Sequence, residues 1–291
     1  MNLARLALNR TTARPHDWDR SAREYDAFAC ERYLYKFGAD SLVQRAQLEP
    51  GMTVVDLACG TGMVSSAVLS HPAGPSVKII AVDFSAGMLA QARRRLNAPN
   101  VEFHQQRVEK LTRSVIERVD RVLCSAAFWH FDKKRAFEQI ARVLKPSGKC
   151  LIGLPVQDFK VMSFKRLYPE NKIMWMIHEE KKSRGYVLGK LPEPQLARQL
   201  SVEKQEIVDH LKKRGLGLEN IETISVNLPA ADYLDFLRIP IMHKKSFLFT
   251  GVPPAIAKEI LDVVTHQLKF VEASTPPLLW QIYVINPAHS Q

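Results

Sequence analysis

The chain has 291 residues and a formal net charge of +11, with 46% hydrophobic and 24% charged side chains. These are values of a folded globular chain, and no apolar run approaches the ~18 residues a membrane-spanning helix needs, so disordered and membrane-spanning classes are excluded. The four cysteines, Cys30, Cys59, Cys124 and Cys150, lack the paired spacing of a zinc module or disulfide framework, which fits a reducing cytoplasm. Three of them fall in predicted helix or strand positions and read as small apolar core residues.

Residues 1–16 hold Arg5, Arg10 and Arg14 without an acid, the charge of a transit segment but too little serine for one. Ser21-Ala22-Arg23-Glu24 has the form of a capping box and predicts a helix start near Ala22. On that helix Tyr25 and Phe28 face either the core or a ligand. Pro50-Gly51 turns the chain into Thr53–Leu57, a strand that is β-branched or apolar apart from Asp56. It runs into Ala58-Cys59-Gly60-Thr61-Gly62, where small side chains permit a sharp turn and close approach of a ligand. Met63 to Leu69 then start a helix. Strand, small-residue loop and helix N-terminus together present free N–H groups at the carboxyl edge of a sheet, where open α/β folds bind nucleotide-like ligands. The alternating small positions differ from a dinucleotide fingerprint, and Asp56 suits an ammonium or hydroxyl group better than a phosphate. A second apolar strand, Val77–Val82, leads to Asp83, placed to accept both hydroxyls of a ribose. Adenosine without phosphates, carrying an amino-acid tail, answers that description: S-adenosylmethionine.

Asp56–Gly62, followed by Val82–Leu89 and later by Arg142-Val143-Leu144-Lys145-Pro146-Ser147-Gly148-Lys149, resembles the ordered motifs of class I S-adenosylmethionine-dependent methyltransferases. The resemblance covers residues 18–155. It implies an α/β fold: a Rossmann-like, mainly parallel seven-stranded sheet with helices on both faces and a helical lid insertion. The chain then divides into an N-terminal helical cap (1–50), a cofactor-binding core (51–155), a lid or substrate insertion (156–200) and a C-terminal part completing the sheet (201–291). S-Adenosyl-L-methionine is the implied cofactor. The residues implied to hold it are Asp56, Ala58, Cys59, Gly60, Gly62, Asp83, Phe84, Met88, Arg107, Val108 and Ser125. One departure stands out, because the family's adenine-accepting aspartate falls on Arg107; the adenine edge is then left to backbone groups near Val108, or to Gln105 or Gln106. The Trp18-Asp19…Tyr25-Asp26 pattern resembles the segment that folds over the cofactor, with core packing the alternative for Tyr25.

Between these motifs Ser85 caps a helix from Ala86 to Leu96, and Val101–His104 and Val119–Ser125 read as the third and fourth strands. The following Ala126–Phe131 lacks the Asn/Asp-Pro-Pro-aromatic tetrad of enzymes that methylate nucleic-acid or glutamine amino groups. His130 is the candidate general base, against the plainer reading of a packed histidine beside Trp129 and Phe131. Tyr25, Trp129 and Trp175 are the candidate substrate contacts. A helix with Ala136, Ile140 and Leu144 on one face leads to a fifth strand, Lys149–Leu154. Residues 160–190 carry eight Lys or Arg against three Glu, either a solvated face or a surface that steers an acidic partner. The aromatic and methionine residues between 156 and 200 suit a substrate pocket or an ordinary helical insertion. Ser201–Arg214 is a helix stopped by Gly215, Ile221–Leu228 a strand, Pro253-Pro254 the start of a helix through Phe270, and Leu278–Ile285 the closing strand.

The function expected is methyl transfer to a small organic molecule, at a carboxylate or hydroxyl oxygen, in a biosynthetic pathway in the cytoplasm. The alternatives are an acyl group on an acidic carrier protein, RNA (favoured by charge, disfavoured by the missing tetrad), and a non-catalytic cofactor-binding protein. The expected state is a monomer or homodimer with no membrane partner and no metal.

Overall fold

The computed structural model describes residues 15–156, 172–186, 204–270 and 278–288. Five strands follow the motif residues in chain order: β1 (Thr53–Leu57), β2 (Lys78–Asp83), β3 (Val101–Gln105), β4 (Val119–Ser125) and β5 (Leu144–Val156). With β6 (Leu216–Val226) and β7 (Leu278–Pro287) they form one seven-stranded sheet of order β3-β2-β1-β4-β5-β7-β6. The pairings of β1 with β2 and β4, of β2 with β3 and of β4 with β5 are all parallel. A parallel sheet is covered on both faces, and Val54, Val55 and Leu57 of β1 are accordingly fully buried.

The flanking helices are α1 (Pro15–Glu31), α2 (Tyr33–Arg45), α3 (Met63–Ser70), α4 (Ala86–Arg95) and α5 (Lys133–Val143). Two have the caps their sequences offer: Ser85 accepts from the Met88 N–H and Asp132 from the Arg135 N–H. The Arg93-Arg94-Arg95 run closes α4 at its negative dipole end. α5 buries Ala136, Phe137, Ile140 and Val143 along one face.

Several boundaries differ from the sequence expectation. The described α1 already runs from Pro15, with Ser21 and Ala22 buried inside it, so the apparent capping box starts nothing. β5 begins at Leu144 rather than Lys149, because Leu144 pairs with Val119 while Lys149 pairs with Arg121. The Lys145-Pro146-Ser147-Gly148 run, whose residues ordinarily mark a turn, is therefore a bulge inside the strand. Lys145 Nζ meets both carboxylate oxygens of Asp120 at 2.9 Å there, and Asp120 also accepts from the Thr53 N–H. β6 starts at Leu216, straight after Gly215, whose φ of 65° ends the preceding helix α7 (Lys204–Lys212). Of the cysteines expected in the core, Cys30 is exposed on α1, while Cys59, Cys124 and Cys150 are buried.

The chain forms two compact units. The first comprises residues 1–155, 202–224 and 280–291, and the second 156–201 and 225–279. In the second, α6 (Lys172–Ser183), α8 (Ala230–Arg238), α9 (Pro240–Lys245) and α10 (Pro254–Gln267) gather around a core that includes Ile173, Ile177, Leu234, Leu248, Ile260 and Leu261. Two of its basic residues serve that unit's own packing. Lys181 is fully buried and its ammonium donates to the Leu248 carbonyl at 2.6 Å, and Arg184 pairs with Glu180 and Glu259. Residues 160–171 and 187–190 of the basic stretch lie outside the described residues, as does the arginine-bearing segment 1–14. No helix among the described residues is long and apolar enough to cross a membrane.

Candidate active site

The strand order reverses between β1 and β4, and their carboxyl ends open a crevice there. Just beyond each strand an alanine adopts the left-handed backbone conformation, Ala58 with φ 55° and Ala126 with φ 54°. For an L-residue this costs roughly 1–2 kcal/mol, and such strain concentrates where ligands are held. The two glycines of the loop are also left-handed but do different work. A Cβ on Gly60 would meet only Tyr25 Cε1, at 3.9 Å, so that position faces open space. A Cβ on Gly62 would lie 2.6 Å from Leu96 Cδ1. Gly62 therefore lets the end of α4 pack against the loop and is not the ligand-facing position expected of it.

Asp56 and Asp83 end β1 and β2. Asp56 is 1% exposed; its Oδ2 accepts from the Ser65 N–H at 2.9 Å and the Ser65 hydroxyl at 2.6 Å, which ties the strand to the first turns of α3. Among the described residues its buried Oδ1 has no hydrogen-bond partner, and neither has the Ser125 hydroxyl at the end of β4. Both residues, with Cys59, Ala58 and Tyr25, line a cavity of about 350 Å³, its open part included, behind the loop. Burial pushes the Asp56 carboxyl up to about 7 from an ordinary 3.8, the Ser65 hydrogen bonds opposing the rise.

That shift predicts a pH-dependent stability. Unfolded, Asp56 loses its proton near 3.8, while the folded group holds it to about 7. The stability it contributes is present below the lower value and is lost as pH rises through about 7. Asp56→Asn removes this loss. The melting-temperature difference, variant minus wild type, is expected to become more positive from pH 5 to pH 8 in calorimetric scans, and a constant difference overturns the assignment.

Asp83 is 5% exposed; its Oδ2 accepts from the Gly60 N–H at 2.9 Å and its Oδ1 from the Ser85 N–H at 2.8 Å. The Phe84 backbone amide also bonds this carboxylate, which leaves roughly one of its acceptor sites unused. Burial pushes its carboxyl up to about 6, the backbone hydrogen bonds oppose that, and the charge of Asp19 adds to the rise. Asp19 belongs to the Trp18-Asp19…Tyr25-Asp26 pattern, which announces no role for its carboxylate. Its Oδ1 accepts from the Ser85 hydroxyl at 2.6 Å and the Gly87 N–H at 2.8 Å, and a Cβ on Gly87 would fall 2.7 Å from Asp19 Cα. One helical stretch further on, Asp26 pairs with Arg95 at the other end of α4. Two aspartates thus clamp α1 along α4, and the clamp hangs Trp18 and Tyr25 over the loop.

Under them lies an open cleft of about 820 Å³, a volume that includes solvent at its mouth. Ala58, Gly60, Asp83, Phe84 and Met88 line one side, Gln106 to Glu109 the rim beyond β3, and Ser125, His130 and Phe131 the far side. Tyr25 packs on Tyr35 with ring centroids 5.0 Å apart, and burial beside Tyr35 holds its phenol well above the usual range. His130 is exposed to the cleft and meets the Trp18 ring edge-on at 5.7 Å, not buried as the plainer reading of the sequence has it. The Arg107 guanidinium lies 5.7 Å from the Phe84 ring centre and 3.7 Å from Glu109.

The structure therefore brings together Tyr25, Ala58, Gly60, Asp83, Phe84, Met88, Arg107, Val108, Ser125 and His130 around one cleft, with Asp56 and Cys59 just behind it. Trp129 lies in the turn Phe128–His130, but its side chain is outside what is described. Trp175 belongs to the second unit, 49% exposed on α6. Sequence reasoning missed Glu109 and Ala126, because a lone acid and a short run of alanines are too common to select, and it named Asp19 without a role for its carboxylate.

Residues 54–148 match the methyltransferase domain family. The malonyl-[acyl-carrier protein] O-methyltransferase of Acetivibrio thermocellus is 29% identical over 52% of this chain and 50% of its own length. The trans-aconitate 2-methyltransferase of Methylobacterium nodulans is 36% identical over 48% of this chain and 50% of its own. The chain thus spans about half the length of these curated relatives. Among solved structures, a chain of the complex between the Haloferax volcanii Trm112 methyltransferase activator and a methyltransferase covers 94% of this chain with 98% of its own, at TM-score 0.53 and 17% identity. A Haemonchus contortus phosphoethanolamine N-methyltransferase 2 bound to S-adenosyl-L-methionine covers 93% of this chain with 57% of its own, at TM-score 0.50 and 17% identity. At these identities the structures speak for the fold.

Proposed function

We propose, from the premise that residues 54–148 are a class I S-adenosylmethionine-dependent methyltransferase domain, that this chain methylates a small organic acceptor at a carboxylate or hydroxyl oxygen. One observation carries the cofactor half of this reading. Two buried acids, Asp56 and Asp83, flank a loop whose Gly60 is open to the cleft, and Asp56 Oδ1 and Ser125 Oγ are buried polar atoms that lack partners among the described residues. A ligand with an ammonium group and a diol would supply what these atoms lack. Asp83 would accept from the ribose hydroxyls, Asp56 and Ser125 would receive the amino-acid tail directly or through a water, and Phe84 and Met88 would cover the base. When bound, S-adenosylmethionine supplies an electrophilic methyl carbon on a sulfonium.

The chain's own contribution is to align the acceptor oxygen and exclude water, which Trp18 and Tyr25 do from above. A carboxylate acceptor needs no base, whereas a hydroxyl needs one, and His130 at the far side of the cleft is the group to take that proton. Both curated relatives named above carry carboxylic acids in their names, malonyl and aconitate, and this supports the carboxylate over the hydroxyl.

The test is methyl-transfer turnover with labelled S-adenosylmethionine against free carboxylic acids, a malonyl carrier protein, hydroxylated metabolites and RNA, with S-adenosylhomocysteine binding followed by calorimetry. Turnover is expected on a free or carrier-bound carboxylate and is expected to survive His130→Gln. Turnover on RNA alone, or binding without any turnover, overturns the reading.

A further inference from the structure

An indole from the last strand is buried beside the site with its N–H unused. Trp280 of β7 is 0% exposed, and among the described residues its Nε1 has no hydrogen-bond partner. The chain makes room for this ring twice over. A Cβ on Gly38, inside α2, would lie 2.3 Å from Trp280 Cζ2, and one on Gly153 of β5 would lie 2.8 Å from its Nε1. A glycine inside a helix weakens it, and a buried N–H without a partner weakens the fold. A phenylalanine would fill the slot without the second loss, so the nitrogen calls for an explanation other than packing.

Gly153 shows where that nitrogen stands. Ser125 and Gly153 are register partners on neighbouring parallel strands, and just beyond them the Ala126 N–H donates to the Gly153 carbonyl at 2.8 Å. Register partners turn their side chains to one face of the sheet, on strands about 4.8 Å apart. The indole nitrogen occupies the side-chain place of Gly153, next to the Ser125 side chain, whose buried Oγ also lacks a partner among the described residues. Ser125 lines both the open cleft and the cavity in front of Asp56.

Resting on the reading that this cavity takes the amino-acid tail of an adenosyl cofactor, we propose that Trp280 is a positioning residue. With ligand bound, its N–H donates to Ser125 Oγ and turns the Ser125 O–H onto the carboxylate of the tail. An indole only donates, a hydroxyl accepts and donates, and a carboxylate only accepts, so the three form a chain with one direction. A hydroxyl that accepts one bond donates the next more strongly. Moving Ser125 from one staggered side-chain well to another shifts its oxygen by about 2 Å, the scale of closing on a group that stands beside it. Asp56, an acceptor, is left for the ammonium of the same tail.

S-adenosylhomocysteine binding, followed by calorimetry and by the indole N–H signals of nitrogen-15-labelled protein, tests this. The chain has four tryptophans, and the Trp280 signal is the one that survives in each of the Trp18→Phe, Trp129→Phe and Trp175→Phe variants. Saturating ligand is expected to move it downfield in wild type and to leave it nearly in place in Ser125→Ala. Trp280→Phe is expected to raise Kd roughly 3- to 10-fold, the size of one net hydrogen bond. Added to Ser125→Ala it should cause no further loss, because the indole acts through that hydroxyl. A Trp280 signal that stays put while wild type binds, an unchanged Kd in Trp280→Phe, or losses that add in the double variant overturn this proposal alone. The signal shift decides the matter even where Trp280→Phe fails to fold. If wild type does not bind the compound, the cofactor reading fails and takes this one with it.

Discussion

Gly60→Val is expected to abolish S-adenosylhomocysteine binding, a loss of ~3 kcal/mol or more, roughly 100-fold or greater in Kd. The new side chain would project into the gap between the loop and Tyr25, where a Cβ alone has 3.9 Å to the Tyr25 ring. That gap adjoins both the open cleft and the smaller cavity in front of Asp56, since Gly60 and Tyr25 line both, as do Ala58 and Ser125. The substitution also costs stability, because Gly60 has φ 55° and a β-branched residue is strained there by about 1–2 kcal/mol. Reading glycine here as a matter of close approach alone underrates it; the backbone conformation is a second reason. Gly60→Ala, which adds the Cβ only, should show most of the strain and less of the binding loss. Calorimetry with a parallel thermal melt separates the two, and normal binding by the folded valine variant would place the ligand elsewhere.

Asp83→Ala is expected to weaken binding of the same compound by about 1.5–3 kcal/mol, the size of lost hydrogen bonds to a charged acceptor. Part of that loss is indirect. Asp83 also holds the Gly60 and Ser85 amides, so removing it loosens the loop and the start of α4. Asp83→Asn keeps an acceptor and isolates the charge. Ribose hydroxyls bind the ionised form better, and burial pushes this carboxyl up to about 6. Affinity should therefore be full well above that value and fall as pH drops through it, and Asp83→Asn should flatten the fall. An unchanged wild-type Kd between pH 5 and pH 8 would show that Asp83 is not an acceptor for the ligand.

Much of this arrangement is legible from local chemistry. A β-branched run ending in an acid, small residues where the chain must turn, and Ser85 ahead of a helical stretch each act within a few residues of themselves, and β1, the loop and the cap on α4 follow the reading closely. The same holds for the pairing of Asp56 and Asp83 as the acids at adjacent strand ends. Elsewhere local patterns compete with contacts they cannot see. Ser21 has a capping sequence yet lies inside α1, and the Lys-Pro-Ser-Gly turn becomes a bulge because Leu144 already pairs with Val119.

What the sequence by itself determined was the set of residues offered to the site and the type of sheet that carries them. Their roles were decided only by tertiary structure. Gly60 and Gly62 are two residues apart in one motif, but one faces open space and the other faces Leu96. Asp19 meets Ser85 across 66 residues and Lys181 meets Leu248 across 67, so the first becomes a helix clamp and the second a buried ammonium rather than a steering charge. Burial and the supply of hydrogen-bond partners set what a carboxylate or an amine can do, and both are properties of neighbours brought in from distant segments.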